Sequence, residues 1–167
     1  GGLNNRRPDR AVIAYSNLIR RWFKNTRPIV LGGIEASLRR IAHYDYWSDR
    51  IRGSILLDAK ADFLLYGMAE SSILELAAML RSKTDPRSIR SLCYPVNNLK
   101  DVSFPEDYIR LPSLAEVTAD PLAFIAMFHT FYRNNDPLTA RGLYQQHKSR
   151  FIIQNPPAST PTQDELD

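Results

Sequence analysis

Between residues 39 and 50 lies the densest set of groups in the chain that could do chemistry: Arg39, Arg40, His43, Tyr44, Asp45, Tyr46, Trp47, Ser48, Asp49 and Arg50. A histidine beside carboxylates can move protons near neutral pH, so His43 with Asp45 or Asp49 forms a possible acid–base pair. Helical spacing would also set Arg39 and His43 on one face, where they could hold an anionic substrate. The competing reading is a solvated, cross-linked loop whose aromatics dock on an adjoining domain. With no second histidine or nucleophile nearby, the docking reading is favoured and no catalytic residue is assigned. Under both readings Arg39, Arg40, His43, Tyr44, Asp45, Tyr46, Trp47 and Asp49 are the substrate or interdomain residues.

A second place for chemistry is the pair Gly32 and Gly33, which ends an apolar run and opens a helical pattern, echoed by Gly67 after a second apolar run. Free backbone N–H groups there could cradle a phosphate or a cofactor. The spacing is not G-x-G-x-x-G, however, and Glu35 in the helix's first turn would repel a phosphate. Close packing or a tight turn is favoured, and a neutral or cationic group is the better ligand. Gly32, Gly33, Glu35 and Gly67 are therefore the cofactor-binding candidates. Metal ligation is not expected, since His43, His129 and His147 lack ligand spacing and the lone Cys93 reads as a small buried hydrophobe.

The elements that must position these residues follow from periodicity. Asp9 is placed to cap a helix carrying Val12, Tyr15, Leu18, Ile19, Trp22 and Phe23, with Arg20 and Arg21 at its cation-favouring end. Strands are predicted over 28–31, 63–66 and 88–94, with helices from Gly33 to Ile41 or Ala42 and over 69–80. In that frame Leu38, Ile41 and Ala42 fill the sheet-facing stripe, while Arg39, Arg40 and His43 face the crevice at the carboxyl ends of the strands. Right-handed crossovers would make the three strands one parallel sheet, with raw edges that imply further strands upstream. Beyond Asn97, prolines divide the chain into short pieces. Pro121 after the cap Asp120 opens one helix, 138–147 reads as another, and 151–154 is extended.

The 167 residues are 44% hydrophobic, enough for one domain with a real core. No apolar run approaches the ~18 residues of a membrane span, and no signal peptide opens the chain, so a cytoplasmic location is expected. Residues 1–60 carry 12 Lys and Arg against 5 Asp and Glu, whereas the remainder carries 10 against 13. A basic first third fits an anionic partner such as nucleic acid, or a surface meeting an acidic neighbouring domain. The second is favoured, because no stacking aromatics interleave the basic residues. A first residue other than methionine and a polar tail over 159–167 read as a piece of a longer chain.

Several stretches together carry a family resemblance: Arg7-Pro8-Asp9-Arg10-Ala11, the run from Val30 through Gly32-Gly33-Ile34-Glu35-Ala36-Ser37-Leu38-Arg39-Arg40 to Asp49, Leu56 to Asp62, Tyr66-Gly67-Met68, and Gln154-Asn155-Pro156-Pro157. Over nearly its whole length the chain resembles the N-terminal region of YgiQ-type radical S-adenosylmethionine proteins. The resemblance implies a partial doubly wound three-layer α/β sandwich with a mainly parallel sheet, of the cobalamin-binding-like type, over 1–98. A helical extension and linker over 99–158 would then lead through 159–167 to a radical SAM domain outside this sequence. In that family a C-x3-C-x2-C motif holds a [4Fe-4S] cluster that cleaves S-adenosylmethionine; the motif is absent here, so the cluster and the cosubstrate belong to the C-terminal domain. The Asp-x-His-x-x-Gly signature of cobalamin ligation is absent too, which puts cobalamin binding in doubt. The implied role is a non-catalytic segment that shapes or covers the radical site; the alternative is a corrinoid- or nucleic-acid-binding module.

Overall fold

Two strands of the sheet end in glycine turns, and these turns set the level at which a ligand could enter. The computed structural model describes residues 8–102 and 107–163; the lead-in before Pro8 and the last four residues of the polar tail lie outside them. In chain order the elements are α1 (Ala11–Trp22), β1 (Val30–Leu31), α2 (Gly33–Leu38), β2 (His43–Asp45), β3 (Arg50–Arg52), α3 (Ile55–Asp58), β4 (Phe63–Leu65), α4 (Glu70–Ser82) and β5 (Leu92–Val96). A 3-10 turn, Leu99–Asp101, is followed by β6 (Ile109–Leu111), α5 (Leu114–Ala119), α6 (Pro121–Arg133), β7 (Leu143–His147) and β8 (Arg150–Gln154). Asp120 caps α6 by accepting from the Leu122 N–H, with Pro121 in its first turn, as the sequence predicts. At α1 the capping position is Arg10 and no side chain caps it, so Asp9 does not have the expected role.

The sheet has six strands in the order β1-β4-β5-β8-β7-β6. β1 with β4 and β6 with β7 are parallel, whereas β4 with β5, β5 with β8 and β7 with β8 are antiparallel. Two sequence expectations are corrected here. The third strand starts at Leu92 and runs antiparallel to β4, because Leu64 pairs with Cys93 and Leu65 with Leu92. Nor does the sheet stop at three strands. The stretch expected to be a helical extension supplies β6, β7 and β8, and the predicted helix over 138–147 contains β7 instead. The turn at Lys148 explains that error: a left-handed residue (φ 55°) in a two-residue loop joins β7 to β8 as a hairpin, with His147 paired to Arg150.

Apolar residues alternate across the strands, so both faces are covered. One face carries Leu31, Leu64, Cys93 and Ile152 against α2 and α3, with Val12 and Ile13 of α1 packed at its margin. On that side Leu111 and Leu143 continue the core against Val117 and Met127 of α5 and α6. The opposite face packs Leu65, Leu92, Tyr94 and Ile153 against Leu76 of α4.

A polar seam centred on Gln145 interrupts the first face. Buried Gln145 accepts from the Ala42 N–H at 2.8 Å and donates to the Pro112 carbonyl at 2.7 Å, and its oxygen lies 3.0 Å from His147 Nε2. Replacing Gln145 with leucine would strand one buried backbone donor and one acceptor. At about 1–3 kcal/mol for each orphaned group, Gln145→Leu is expected to lower stability by a few kcal/mol, whereas Gln146→Leu, at an exposed neighbouring position, is expected to change it little. Urea denaturation of both variants distinguishes the outcomes.

Candidate functional site

Gly32 caps α2 in extended backbone, while Gly33 and Gly67 adopt φ of 83° and 69°, a conformation that side chains disfavour. A Cβ built on Gly33 or Gly67 would meet no atom within 4 Å, so these glycines serve the turns rather than clearance. They follow β1 and β4 and border a cleft of about 510 Å³. Glu35 projects from the next helical turn to pair with Arg39 at 3.3 Å.

α2 ends at Leu38, a full turn before Ile41, so Arg39 and His43 do not share a helix face as the spacing implied. The expected orientation is reversed at one position. Leu38, assigned to the sheet-facing stripe, is 66% exposed, while Arg40, assigned to the crevice, does line the cleft beside Gly33 and Gly67 but is only 6% exposed, at its floor. The cause lies in the chain's departure from the helix after Arg39, which turns the next side chain inward. The Arg40 guanidinium lies between the rings of Tyr66 and Phe131, 4.1 Å and 4.2 Å from their centroids. Its Nε donates to Gln154 Oε1 and one Nη to Asn135 Oδ1, both at 2.9 Å, and the other Nη to the Ser37 carbonyl. Burial pulls its pKa down, opposed by the nearby Cys93 and Tyr66 groups.

The remainder of the 39–50 cluster forms a hairpin. β2 pairs antiparallel with β3, Tyr44 opposite Ile51, and Asp49 takes the left-handed turn position (φ 47°). Next to the turn the buried Asp45 accepts from the Ser48 hydroxyl and Arg10, with Arg39 at 3.7 Å. The Ser48 hydrogen bond, reinforced by Arg10 and Arg39, holds the Asp45 carboxyl down at about 2. Tyr44 donates to Asp49 at 2.6 Å, which raises the phenol's pKa, and Arg50 is exposed. Tyr46 and Trp47 stand at the tip, 81% and 85% exposed. His43 is half-buried, its Nδ1 3.1 Å from the Ile41 carbonyl, and burial lowers its pKa. Asp45 is thus already ion-paired and Asp49 hydrogen-bonded elsewhere, and among the described residues neither carboxylate hydrogen-bonds His43.

Sequence reasoning did not find Arg10, Gln145, Gln154 or Asn135, each of which completes a network over 18 or more residues of separation. No local pattern marks them. Among the described residues no three His, Cys, Asp or Glu side chains gather as metal ligands. Cys93 is fully buried, and that burial pushes its thiol up to about 12. The donor set of this segment therefore does not fit an iron–sulfur cluster.

The family described as Radical SAM N-terminal matches residues 1–167. The chain belongs to that family. Among its relatives, a UPF0313 protein of Fusobacterium nucleatum is 52% identical over 168 residues, which take in all of this chain and 29% of that protein. UPF0313 proteins of Methanocella arvoryzae and Thermotoga maritima are 46% and 44% identical, covering 96% and 100% of this chain and 27% and 29% of their own lengths. The chain therefore spans less than a third of the length of these UPF0313 relatives and corresponds to their N-terminal part. No solved structure matches it. Among the described residues no helix is long and apolar enough to cross a membrane.

The histidines give the domain a predicted pH response. His147 is buried, and its pKa falls from 6.5 to about 4, first through desolvation, with His43 adding to the fall and Asp58 opposing it. A depressed folded-state pKa means that the unfolded chain takes up the proton first, so the stabilisation is complete above pH 6.5 and is lost as pH falls toward 4. His43 acts in the same direction. Asp45 adds a lower window, from 3.8 to about 2. Thermal midpoints measured from pH 7.5 to 4 are expected to fall in the parent chain and to flatten in His147→Gln.

Proposed function

We propose that this segment is the non-catalytic N-terminal domain of a cytoplasmic radical S-adenosylmethionine iron–sulfur enzyme of unknown substrate, and that it helps to shape or cover the radical site. The [4Fe-4S] cluster and S-adenosylmethionine belong to a C-terminal domain of the same chain, which is its partner. One observation carries this reading: in a chain less than a third as long as its UPF0313 relatives, Tyr46 and Trp47 stand almost fully exposed on a hairpin anchored by Arg10, Asp45 and Ser48. Exposed aromatics on a braced scaffold are the composition of a docking surface. Ile34, 77% exposed on α2, adds apolar area beside the cleft. Helices on both sheet faces support a relation to the cobalamin-binding-like sandwich. Gly32, Gly33 and Gly67 would then lie at the edge facing the radical domain.

The alternative, a corrinoid- or nucleic-acid-binding module using the basic face, has less support. Arg10, Arg20, Arg39 and Arg52 are paired with Asp45, Asp62, Glu35 and Asp58, so these four cations are engaged within the fold. A phosphate-tracking surface needs such cations free.

Two measurements test the proposal. Residues 1–167 produced alone should contain no stoichiometric iron and show no charge-transfer absorption, whereas the anaerobically purified full-length protein should contain both. In the full-length protein, replacing Tyr46 and Trp47 with serine should lower 5′-deoxyadenosine formation at least tenfold and speed proteolysis after residue 158, because each buried aromatic contributes about 1.5–3 kcal/mol to docking. Parental turnover together with parental protease resistance would remove the hairpin from the interface.

A further inference from the structure

The cleft beside Gly33 and Gly67 has a floor that the docking role does not explain. Arg40 is nine-tenths buried there, yet it forms no ion pair with a carboxylate among the described residues, in contrast to Arg10, Arg20, Arg39 and Arg52. Buried charges in proteins are ordinarily paired, because desolvation is otherwise uncompensated. Its partners are a side-chain amide from Gln154, another from Asn135 and the Ser37 carbonyl, all neutral. A guanidinium has five N–H donors, and these three bonds leave one on each terminal nitrogen. Two N–H groups on adjacent nitrogens form the fork that a planar carboxylate accepts in bidentate fashion. The rings of Tyr66 and Phe131, with centroids 4.1 Å and 4.2 Å from the guanidinium carbon, crowd the faces of the cation and leave its edge as the approach for an anion.

The cleft's walls complete the description of the occupant. Arg40 and Tyr66 line it, and Ile34, Met68, Pro137 and Pro157 give it an apolar rim. Its volume of about 510 Å³ holds a group considerably larger than a carboxylate alone. We propose that the cleft is a carboxylate-binding site in which Arg40 takes the carboxylate and the rim takes an aliphatic body. The carboxylate comes either from a small molecule or from an Asp or Glu in the remainder of the full-length chain. This proposal does not depend on the Tyr46–Trp47 docking surface, and its readouts are separate from iron content and from 5′-deoxyadenosine formation.

The experiment uses the full-length protein and sodium hexanoate, followed by calorimetric titration, with hexanol as the uncharged control. If the ligand is free, hexanoate binds saturably and hexanol does not. Arg40→Lys, which retains the charge but not the fork, should then weaken binding at least tenfold. Met68→Glu, at a largely exposed rim position, places a competing carboxylate at the mouth and should weaken it similarly without touching the core. It decides the question should Arg40→Lys fail to fold. If the carboxylate is supplied in cis, hexanoate does not bind, and a crystal structure of the full-length protein shows an Asp or Glu oxygen within ~3.2 Å of an Arg40 terminal nitrogen. Absence of hexanoate binding together with only water or backbone carbonyls at those nitrogens overturns the proposal. So does hexanoate binding that neither variant alters.

Discussion

The organisation of one side of the sheet depends on a single cation held between two rings. Arg40 joins four separate parts of the chain: the end of α2 through Ser37, β4 through Tyr66, β8 through Gln154, and the end of α6 through Phe131 and Asn135. Without it the apolar core under α2 and α3 and the core under α5 and α6 would meet at a polar gap. Stacking and hydrogen bonds to neutral groups offset part of the desolvation cost of the charge, and the geometry they impose is stricter than an apolar contact would require. The same contacts set the orientation of the cleft floor. Packing and ligand recognition are therefore two results of one side chain.

The Gln145 seam is a second polar network on the same face. Gln145 of β7, its oxygen 3.0 Å from His147 Nε2, holds the non-helical link at Ala42 and the loop at Pro112 before α5. The link from α2 to the β2–β3 hairpin has no regular backbone partner for Ala42, so a side chain from a distant strand supplies it. The hairpin is thereby fixed to the sheet at its base while its aromatic tip remains outside. Asp45 does similar work with Arg10, tying the hairpin to the start of α1. Rigid support beneath exposed aromatics lowers the ordering cost of an interface.

Much of this fold was legible from periodicity and capping. β1, β4, α4 and α6 fall close to where apolar spacing, glycine turns and the Asp120–Pro121 pair put them, and the family was legible from the Gly32 to Asp49 stretch. The later half was not. β7 is a strand in Leu-Tyr-Gln-Gln-His, where the buried members at 145 and 147 are polar and so lack the apolar alternation that marks a strand. β5 runs antiparallel to β4, a direction that no local signal encodes. At the site, Arg40 was legible by type and by its place at the cleft but not by its burial, because the helix was extended past Leu38 on hydrophobic spacing. An arginine turned inward is disfavoured by every residue-level rule until Tyr66, Phe131 and Gln154 are known to surround it.

The position of β8 has a consequence for how the molecule is made. Among the described residues it is the last strand in sequence, yet it lies in the middle of the sheet, with β5 on one side and β7 on the other. As the chain leaves the ribosome at roughly 5–20 residues per second, β1, β4 and β5 can form one ladder and β6 with β7 another, but nothing joins them until Gln154 is clear of the exit tunnel. Until then both β5 and β7 present an unsatisfied backbone edge, and the two ladders are tethered only by the intervening chain. The nascent domain is thus an open pair of half-sheets for most of its synthesis. A single late segment closes it and, at the same moment, brings Gln154 to Arg40.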